Sequence, residues 1–314
     1  MRAISQDTYG GPDVLRLIET DRPTPLPTEV LVRVHAAGVN PVDAKTRAGQ
    51  GVAGILGQPP FILGWDVSGV VEEVGHGVHT LAVGDEVYGM PWFPRAASAY
   101  AEYVTAPSRH FARKPVNLSH VEAAAVPLAG LTAYQILTAL ARIQKDQRVL
   151  IHAAAGGVGH LAVQFAKHLG AYVVGTASVG KHEWLRGLGA DEVIDYHRAE
   201  VAEATGDIDV VVDLIGSEST QRQSVAVTRS GGLVVAVPSG TSPELLELAA
   251  KSGVRAAPYL VEPDGPALGE IAALIESGAV RIEVEDVFPL AAAAEAHRRM
   301  ESGRTRGKLV LEVR

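Results

Sequence analysis

The chain has 314 residues, no cysteine and a formal net charge of −8, with hydrophobic residues spread along its whole length. That is long for one hydrophobic core, so two domains are expected. The missing thiols exclude disulfides, thiolate nucleophiles and every cysteine-containing zinc site. The lack of a polybasic block argues against nucleic acid as the main partner, and no apolar run reaches the roughly eighteen residues of a membrane helix. MRAISQDTYGGPDVL at the start lacks an apolar core of signal-peptide length, so a soluble, cytoplasmic protein is expected.

Residues 1–115 read as strand-rich. EVLVRVHAAGV (29–39) sets Val30, Val32 and Val34 on one face against Arg33 and His35 on the other, the alternation of a half-buried strand. Short strands are expected again at VSGVVEEV (67–74), DEVYG (85–89) and AYAEYV (99–104), with glycine and proline punctuation that suits a small barrel. From about residue 121 the rhythm changes. RVLIHAAA (148–155) reads as a buried strand, and GVGHLAVQFAKHLG as a helix stopped by Gly170. The strand AYVVGTAS (171–178) follows, then a short helix carrying Trp184, Leu185 and Leu188, then the strands DEVIDY (191–196), IDVVVDLIG (208–216) and GGLVVAVPS (231–239). Such alternation implies right-handed crossovers and a doubly wound parallel sheet. From about 264 come a helix (PALGEIAALIESG), a DVFPL stretch, an Ala-rich helix and a last strand, GKLVLEV, expected to return to the first domain.

The chemical signal lies at AAAGGVG (153–159), between strand and helix. Gly156 and Gly159 fit the second and third glycines of the dinucleotide fingerprint, with Ala154 in the place of the first. Backbone N–H groups of Gly157, Val158 and Gly159 then open the helix toward a pyrophosphate. In NAD sites an acidic residue about 20 positions on binds the ribose hydroxyls. That position is Ser178, a donor rather than a carboxylate, followed by the cation Lys181 and, after the third strand, by Tyr196. Together they point to NADP(H), with Glu183 as the dissenting residue. His152, His160 and His168 show no metal or triad spacing, and His35 and His110 show no partner.

GVNPVDAKTRAG (38–49), LGWDVSGVVEEVG (63–75), VGDEVYGM (83–90), AAAVPLAGLTAYQ (123–135), AAAGGVG, GADEVIDY (189–196) and GRTRGKLVLEV (303–313) together resemble the medium-chain dehydrogenase/reductase superfamily. More narrowly, the chain resembles its zinc-independent quinone oxidoreductase branch, which includes zeta-crystallin. The resemblance implies an α/β protein. A GroES-like β-barrel domain would cover 1–120, completed by 264–314, and a Rossmann NADP-binding domain with a doubly wound parallel sheet would cover 121–263. Against the zinc-dependent relatives, Asn40 stands where a cysteine ligand would be, Trp65 where a histidine would be, and Leu128 near the remaining cysteine position.

The same resemblance places Asn40 beside the nicotinamide, where it would contact cofactor or substrate, with Asp43 close by. The residues alone allow another reading: Asn40 as N-cap, Pro41 at the first helical position and Asp43 as the first-turn acid. Thr132, Ile215 and Val237 lie where relatives meet the nicotinamide half. Trp65, Trp92, Phe93 and Tyr259 either line an aromatic substrate pocket or are ordinary core and rim aromatics. Thr46 stands where some relatives carry a tyrosine near the substrate, so the substrate range does not transfer closely.

The expectation is therefore an NADPH-dependent, zinc-free enzyme that reduces quinones or activated alkenes by hydride transfer. The alternatives are an enoyl or enone reductase for one metabolite, and an NADPH-binding protein with little turnover. A homodimer through the edge around GVRAAPYLV (253–261) is expected by resemblance.

Overall fold

The computed structural model describes residues 1–238 and 240–314; Ser239, at the end of the expected strand GGLVVAVPS, lies outside the described residues. The chain forms two compact units. One is Met1–Leu131 with Glu262–Gly278 and Ile282–Arg314, the other Thr132–Val261 with Ala279–Arg281.

The first unit starts with β1 (Arg2–Gln6), β2 (Arg16–Glu19), β3 (Glu29–Val39), α1 (Pro41–Arg47), α2 (Ala53–Leu56), β4 (Phe61–Ile62) and β5 (Asp66–Val74). It continues through β6 (Glu86–Gly89), β7 (Tyr103–Pro107), β8 (Phe111–Arg113), α3 (His120–Ala124) and α4 (Pro127–Gln135), whose last residues belong to the second unit. The second unit alternates β9 (Arg148–Ile151), α5 (Gly157–His168), β10 (Tyr172–Thr176), α6 (His182–Gly187), β11 (Glu192–Ile194), α7 (Val201–Ala204) and β12 (Ile208–Asp213). It ends with α8 (Glu218–Val227), β13 (Thr228–Ala236), α9 (Pro243–Lys251) and β14 (Arg255–Pro258). The chain then returns to the first unit as α10 (Gly265–Glu276), β15 (Val284–Pro289), α11 (Ala293–Glu301) and β16 (Lys308–Glu312).

Two sheets build the first unit: β2-β1-β4, and β15-β16-β3-β5-β6-β8 with β7 also paired to β3. The last strand does return. β16 runs antiparallel to β3, with Leu309 opposite Val39 and Glu312 opposite Ala36. The expected strand at 99–104 begins later, at Tyr103; before it only Ala101 makes an isolated bridge, to Ala3. Buried Ala99, Tyr100 and Ala101 belong to an irregular stretch whose backbone bonds Leu63 and Ile4.

The second unit holds one parallel sheet in the order β11-β10-β9-β12-β13-β14. Its centre is apolar on both faces, with Leu150, Val174, Val211 and Val234 buried on one and Val149, Val173, Val212 and Val235 on the other, as strands covered by helices require. Connections run outward in opposite directions from β9 and β12. The topological switch point therefore lies between their carboxyl ends, where open α/β sheets bind ligands. RVLIHAAA is strand only to Ile151; the loop begins at His152.

Candidate active site

In the first unit, β3 delivers Asn40 in an extended conformation (φ −130°, ψ 151°) as N-cap of α1, with Pro41 at the first helical position. The cap bond comes from Asp43: Asn40 N donates to Asp43 Oδ2 at 2.7 Å. Asn40 and Asp43 together form the capping box of α1. The Asn40 carboxamide also reaches beyond the helix: Nδ2 donates to Asp66 Oδ2 at 2.8 Å, and Oδ1 accepts from Lys308 Nζ. Lys308 Nζ also donates to Val39 O at 2.9 Å and stands 3.7 Å from Asp66 Oδ2. Leu128 N donates to the other Asp66 oxygen at 2.7 Å. Asn40 is 1% exposed, Asp66 0% and Lys308 3%.

Close packing makes this centre possible. A Cβ on Gly38 would lie 2.4 Å from Ala124 O and 2.9 Å from Asp66 Cβ, so only glycine lets β3, α3 and Asp66 meet. Burial raises the Asp66 pKa and lowers that of Lys308, and each group's charge opposes the other's shift. Burial also pushes Asp43 up to about 7, against the pull of the Asn40 N–H. The Tyr100 hydroxyl acts on the same carboxylate, yet Asp43 Oδ1 has no hydrogen-bond partner of ordinary geometry.

Trp65 is buried, its indole N–H spent on Arg95 O at 2.7 Å and its ring edge-on to Phe93 with centroids 5.5 Å apart. A donor-only indole cannot ligate a metal. Trp92 packs elsewhere, donating to Thr105 O at 2.8 Å and lying edge-on to His110 at 5.6 Å. His110 also accepts the Trp92 backbone N–H at 3.2 Å, and His35 stacks on His120 at 4.3 Å. Both histidines thus have partners that sequence spacing did not reveal. Among the described residues, no three His, Cys, Asp or Glu side chains converge to hold a metal ion.

In the second unit, Ala153 takes a left-handed φ of 49° and turns the chain back after β9. Ala153 N and Ala154 N donate to Thr176 Oγ1 and Thr176 O, at 3.2 and 3.0 Å. Gly156 caps α5 with no side-chain cap bond, and Gly156, Gly157 and Val158 are half-buried. A Cβ on Gly159 would sit 2.3 Å from Ala153 O and 2.7 Å from Ala154 Cα, so helix and loop meet only over glycine. These uncapped first-turn N–H groups, at the positive end of a 12-residue helix, fit a pyrophosphate. Beneath the loop, His152 is buried against Thr176 and Ser224. Ser224 Oγ donates to Thr220 O at 2.7 Å, so His152 Nε2 carries the proton and donates to Ser224. Burial lowers the His152 pKa, and the neutral ring is a packing group.

Ser178 and Lys181 share one tight turn after β10, with Lys181 N donating to Ser178 O at 2.9 Å. Tyr196 lies beyond the end of β11, 51% exposed, its ring tilted on His197 at 4.2 Å. At the switch point Asp213 Oδ1 accepts from Ile215 N and Gly216 N, both at 2.9 Å, and Val237 N donates to Asp213 O at 3.1 Å. Thr132 is buried in α4, and the Tyr259 hydroxyl donates to Gln135 Oε1 at 2.6 Å. Sequence reasoning missed Asp66, Lys308 and Asp213. Asp213 closes the apolar run VVV (210–212), a signal that could have exposed it; for Asp66 and Lys308 the sequence gives no local sign of burial.

A mostly antiparallel sheet domain with a buried polar centre, and a parallel sheet with a glycine turn at its switch point, define a two-domain dehydrogenase or reductase. Residues 26–116 match the alcohol dehydrogenase GroES-like domain family, and residues 188–311 the family described as zinc-binding dehydrogenase. The structure is similar to a quinone oxidoreductase from Coxiella burnetii, with TM-score 0.95, 41% identity and coverage of 100% of this chain and 99% of that one. It is also similar to the Escherichia coli quinone oxidoreductase complexed with NADPH, with TM-score 0.90, 29% identity and both chains fully covered. In sequence, a 2-methylene-furan-3-one reductase of Solanum lycopersicum is 36% identical over 99% of this chain and 79% of its own length. The chain belongs to the medium-chain dehydrogenase/reductase superfamily, in its zinc-independent quinone oxidoreductase branch.

Proposed function

We propose that this protein is an NADPH-dependent, zinc-free oxidoreductase that reduces quinones or activated alkenes by hydride transfer. One observation carries the reading. A glycine phosphate loop, with Ser178 and Lys181 in the turn after the next strand, occurs in a chain with Asn40 and Trp65 at two zinc-ligand positions of the relatives and Leu128 near the third.

The E. coli relative binds NADPH, and the same cofactor suits the residues here. Gly156, Gly157, Val158 and Gly159 hold the pyrophosphate on backbone N–H groups. Ser178, Lys181 and Tyr196 hold the 2′-phosphate, and Thr132, Ile215 and Val237 meet the nicotinamide half. NADPH, when bound, supplies the hydride. Asn40 offers an N–H to the oxygen on which charge accumulates, replacing the Lewis acid of zinc relatives with a hydrogen bond. Quinones and enones suit this exchange, because their added charge is delocalised as it arrives. Asp43 holds the turn that presents Asn40.

The tomato relative is named for reduction of a methylene furanone, which favours conjugated enones as the second substrate class. The reading extends to domains bounded near 120 and 264, to a cytoplasmic enzyme, and to a homodimer. The dimer is supported by β14, the last strand in its sheet order.

The test is absorbance at the nicotinamide band with NADPH or NADH and a panel of ortho-quinones and enones. Rapid oxidation selective for NADPH is expected. Tight NADPH binding with no oxidation by any acceptor would overturn the enzymatic reading, and a preference for NADH would overturn the assignment of Ser178 and Lys181.

A further inference from the structure

We infer that Lys308 and Asp66 are a positioning pair that fixes the Asn40 carboxamide in one orientation, leaving a single N–H for the acceptor's carbonyl oxygen. The inference rests on the reading that Asn40 works at the reaction centre, and it assigns the residues that make Asn40 a donor.

The two ends of an asparagine amide have nearly the same shape, so packing alone does not choose between them. Chemistry chooses here. Lys308 Nζ has only donors to offer, and an ionised Asp66 only acceptors. With Oδ1 on Lys308 and Nδ2 on Asp66, both contacts are hydrogen bonds. After a flip, donor would face donor and acceptor would face acceptor. Of the two Nδ2 hydrogens, Asp66 takes one.

The pair is held in turn from elsewhere. Lys308 is tied to Val39 O, the last residue of β3, and Asp66 to Leu128 N. The contact joins the first residue of β16 to the residue after β3, 268 positions apart in sequence. Burying both charges is costly, and an apolar pair of similar volume would give comparable or better stability. What an apolar pair would not do is orient the amide.

The experiment uses the full chain with NADPH and phenanthrenequinone as the acceptor. It compares wild type, Asn40→Ala, Lys308→Met, the Asn40→Ala/Lys308→Met double variant and Lys308→Met/Asp66→Leu. Asn40→Ala and Lys308→Met are each expected to lower kcat about 10²-fold, the loss that accompanies a misplaced reacting geometry, with KM for NADPH unchanged. The Asn40→Ala/Lys308→Met enzyme is expected to be no slower than Asn40→Ala alone, because both changes remove one function. Lys308→Met strands the Asp66 charge; Lys308→Met/Asp66→Leu removes both charges together and should fold with the same loss of kcat.

Wild-type kcat in either Lys308 variant, with Asn40→Ala impaired, would overturn the positioning pair and leave Asn40 in place. Wild-type kcat in Asn40→Ala would overturn the reading of Asn40 itself. Additive losses in the Asn40→Ala/Lys308→Met enzyme would show that Lys308 acts other than through Asn40.

Discussion

Arg47 donates an N–H to His297 Nδ1 at 2.9 Å, a contact between residues 250 positions apart. Arginine has no acceptor to offer, so Nδ1 must be the unprotonated nitrogen. Nε2 then carries the hydrogen and faces the Tyr100 hydroxyl oxygen at 3.2 Å. Tyr100 thereby keeps its own hydrogen for the Asp43 carboxylate, on which it acts. Arg47 is anchored further by Gly10 O at 3.0 Å and Glu301 Oε1 at 2.6 Å. The chain of bonds ties α1, the stretch at Tyr100 and α11 together, and it ends at the residue that caps the Asn40 turn.

His297→Leu should therefore destabilise the protein by about 1–3 kcal/mol, the usual cost of stranding buried polar partners. His297→Gln should cost less, because its amide can accept from Arg47 and donate to Tyr100. Urea unfolding checks both. Equal losses in the two variants would mean that ring packing, not the directed bonds, accounts for the contribution of His297.

The ends of this chain titrate in opposite senses. Burial holds Asp43 at about 7 against an ordinary 3.8, so the native state keeps a proton that the unfolded chain has released. Its contribution to stability is full below the unfolded value and is lost as pH rises through about 7. Burial and the Arg47 charge hold His297 at about 3 against 6.5, so its contribution is present above 6.5 and is lost as pH falls toward 3. Asp43→Asn removes only the first term. Relative to wild type, that variant should gain about 2–3 kcal/mol between about pH 5 and pH 8, measured by urea unfolding at both. A constant gap would mean that Asp43 is ionised in the native protein.

The parallel sheet was the most legible part of the fold. Strands such as VLI (149–151) and VVV (210–212) are apolar on both faces, and each is followed by a helix with its own period. The glycine loop was legible because its constraint is local: Gly159 meets Ala153 and Ala154, only a few positions away. The polar centre was not. Asn40, Asp66 and Lys308 are brought together by sheet register alone, and nothing local to GWDV or GKLV says that the charge is buried. Asn40 also satisfied a local explanation as a cap, which holds, with Asp43 completing the capping box, but which says nothing of the carboxamide's contacts with Asp66 and Lys308. AYAEYV alternates like a strand, yet Tyr100 turns inward to Asp43 and His297, and regular pairing starts only at Tyr103.

Two glycines of the phosphate loop should fail differently. A methyl group on Gly159 meets backbone at 2.3 and 2.7 Å, which neither helix nor loop can yield cheaply. Gly159→Ala should lower stability without any ligand, by about 1–3 kcal/mol as for other overpacked sites. On Gly156 the nearest atom is Ala153 O at 3.3 Å, and the backbone (φ −81°, ψ −178°) suits any residue. Gly156→Ala should keep a stability within about 1 kcal/mol of wild type while losing at least about tenfold in NADPH affinity. Thermal unfolding without ligand and a fluorescence titration with NADPH separate the two. Wild-type affinity in Gly156→Ala would remove that backbone from the pyrophosphate site.

Choice of cofactor should rest on the turn at Ser178 and Lys181. A charge-assisted hydrogen bond is worth about 1.5–3 kcal/mol, so Lys181→Ala should lower kcat/KM for NADPH by about 10–100-fold and leave NADH nearly unchanged. Ser178→Asp should go further, since its carboxylate repels a 2′-phosphate and accepts from a 2′-hydroxyl, moving the preference toward NADH. Both residues are half-buried, so the wild-type preference should weaken as salt is raised while the rate with NADH changes little. The measurement is the ratio of kcat/KM values for the two cofactors at low and high ionic strength. An equal loss with both cofactors in Lys181→Ala would mean that the lysine supports the turn rather than the phosphate, and the discrimination would then have to come from Tyr196 and the residues beside it.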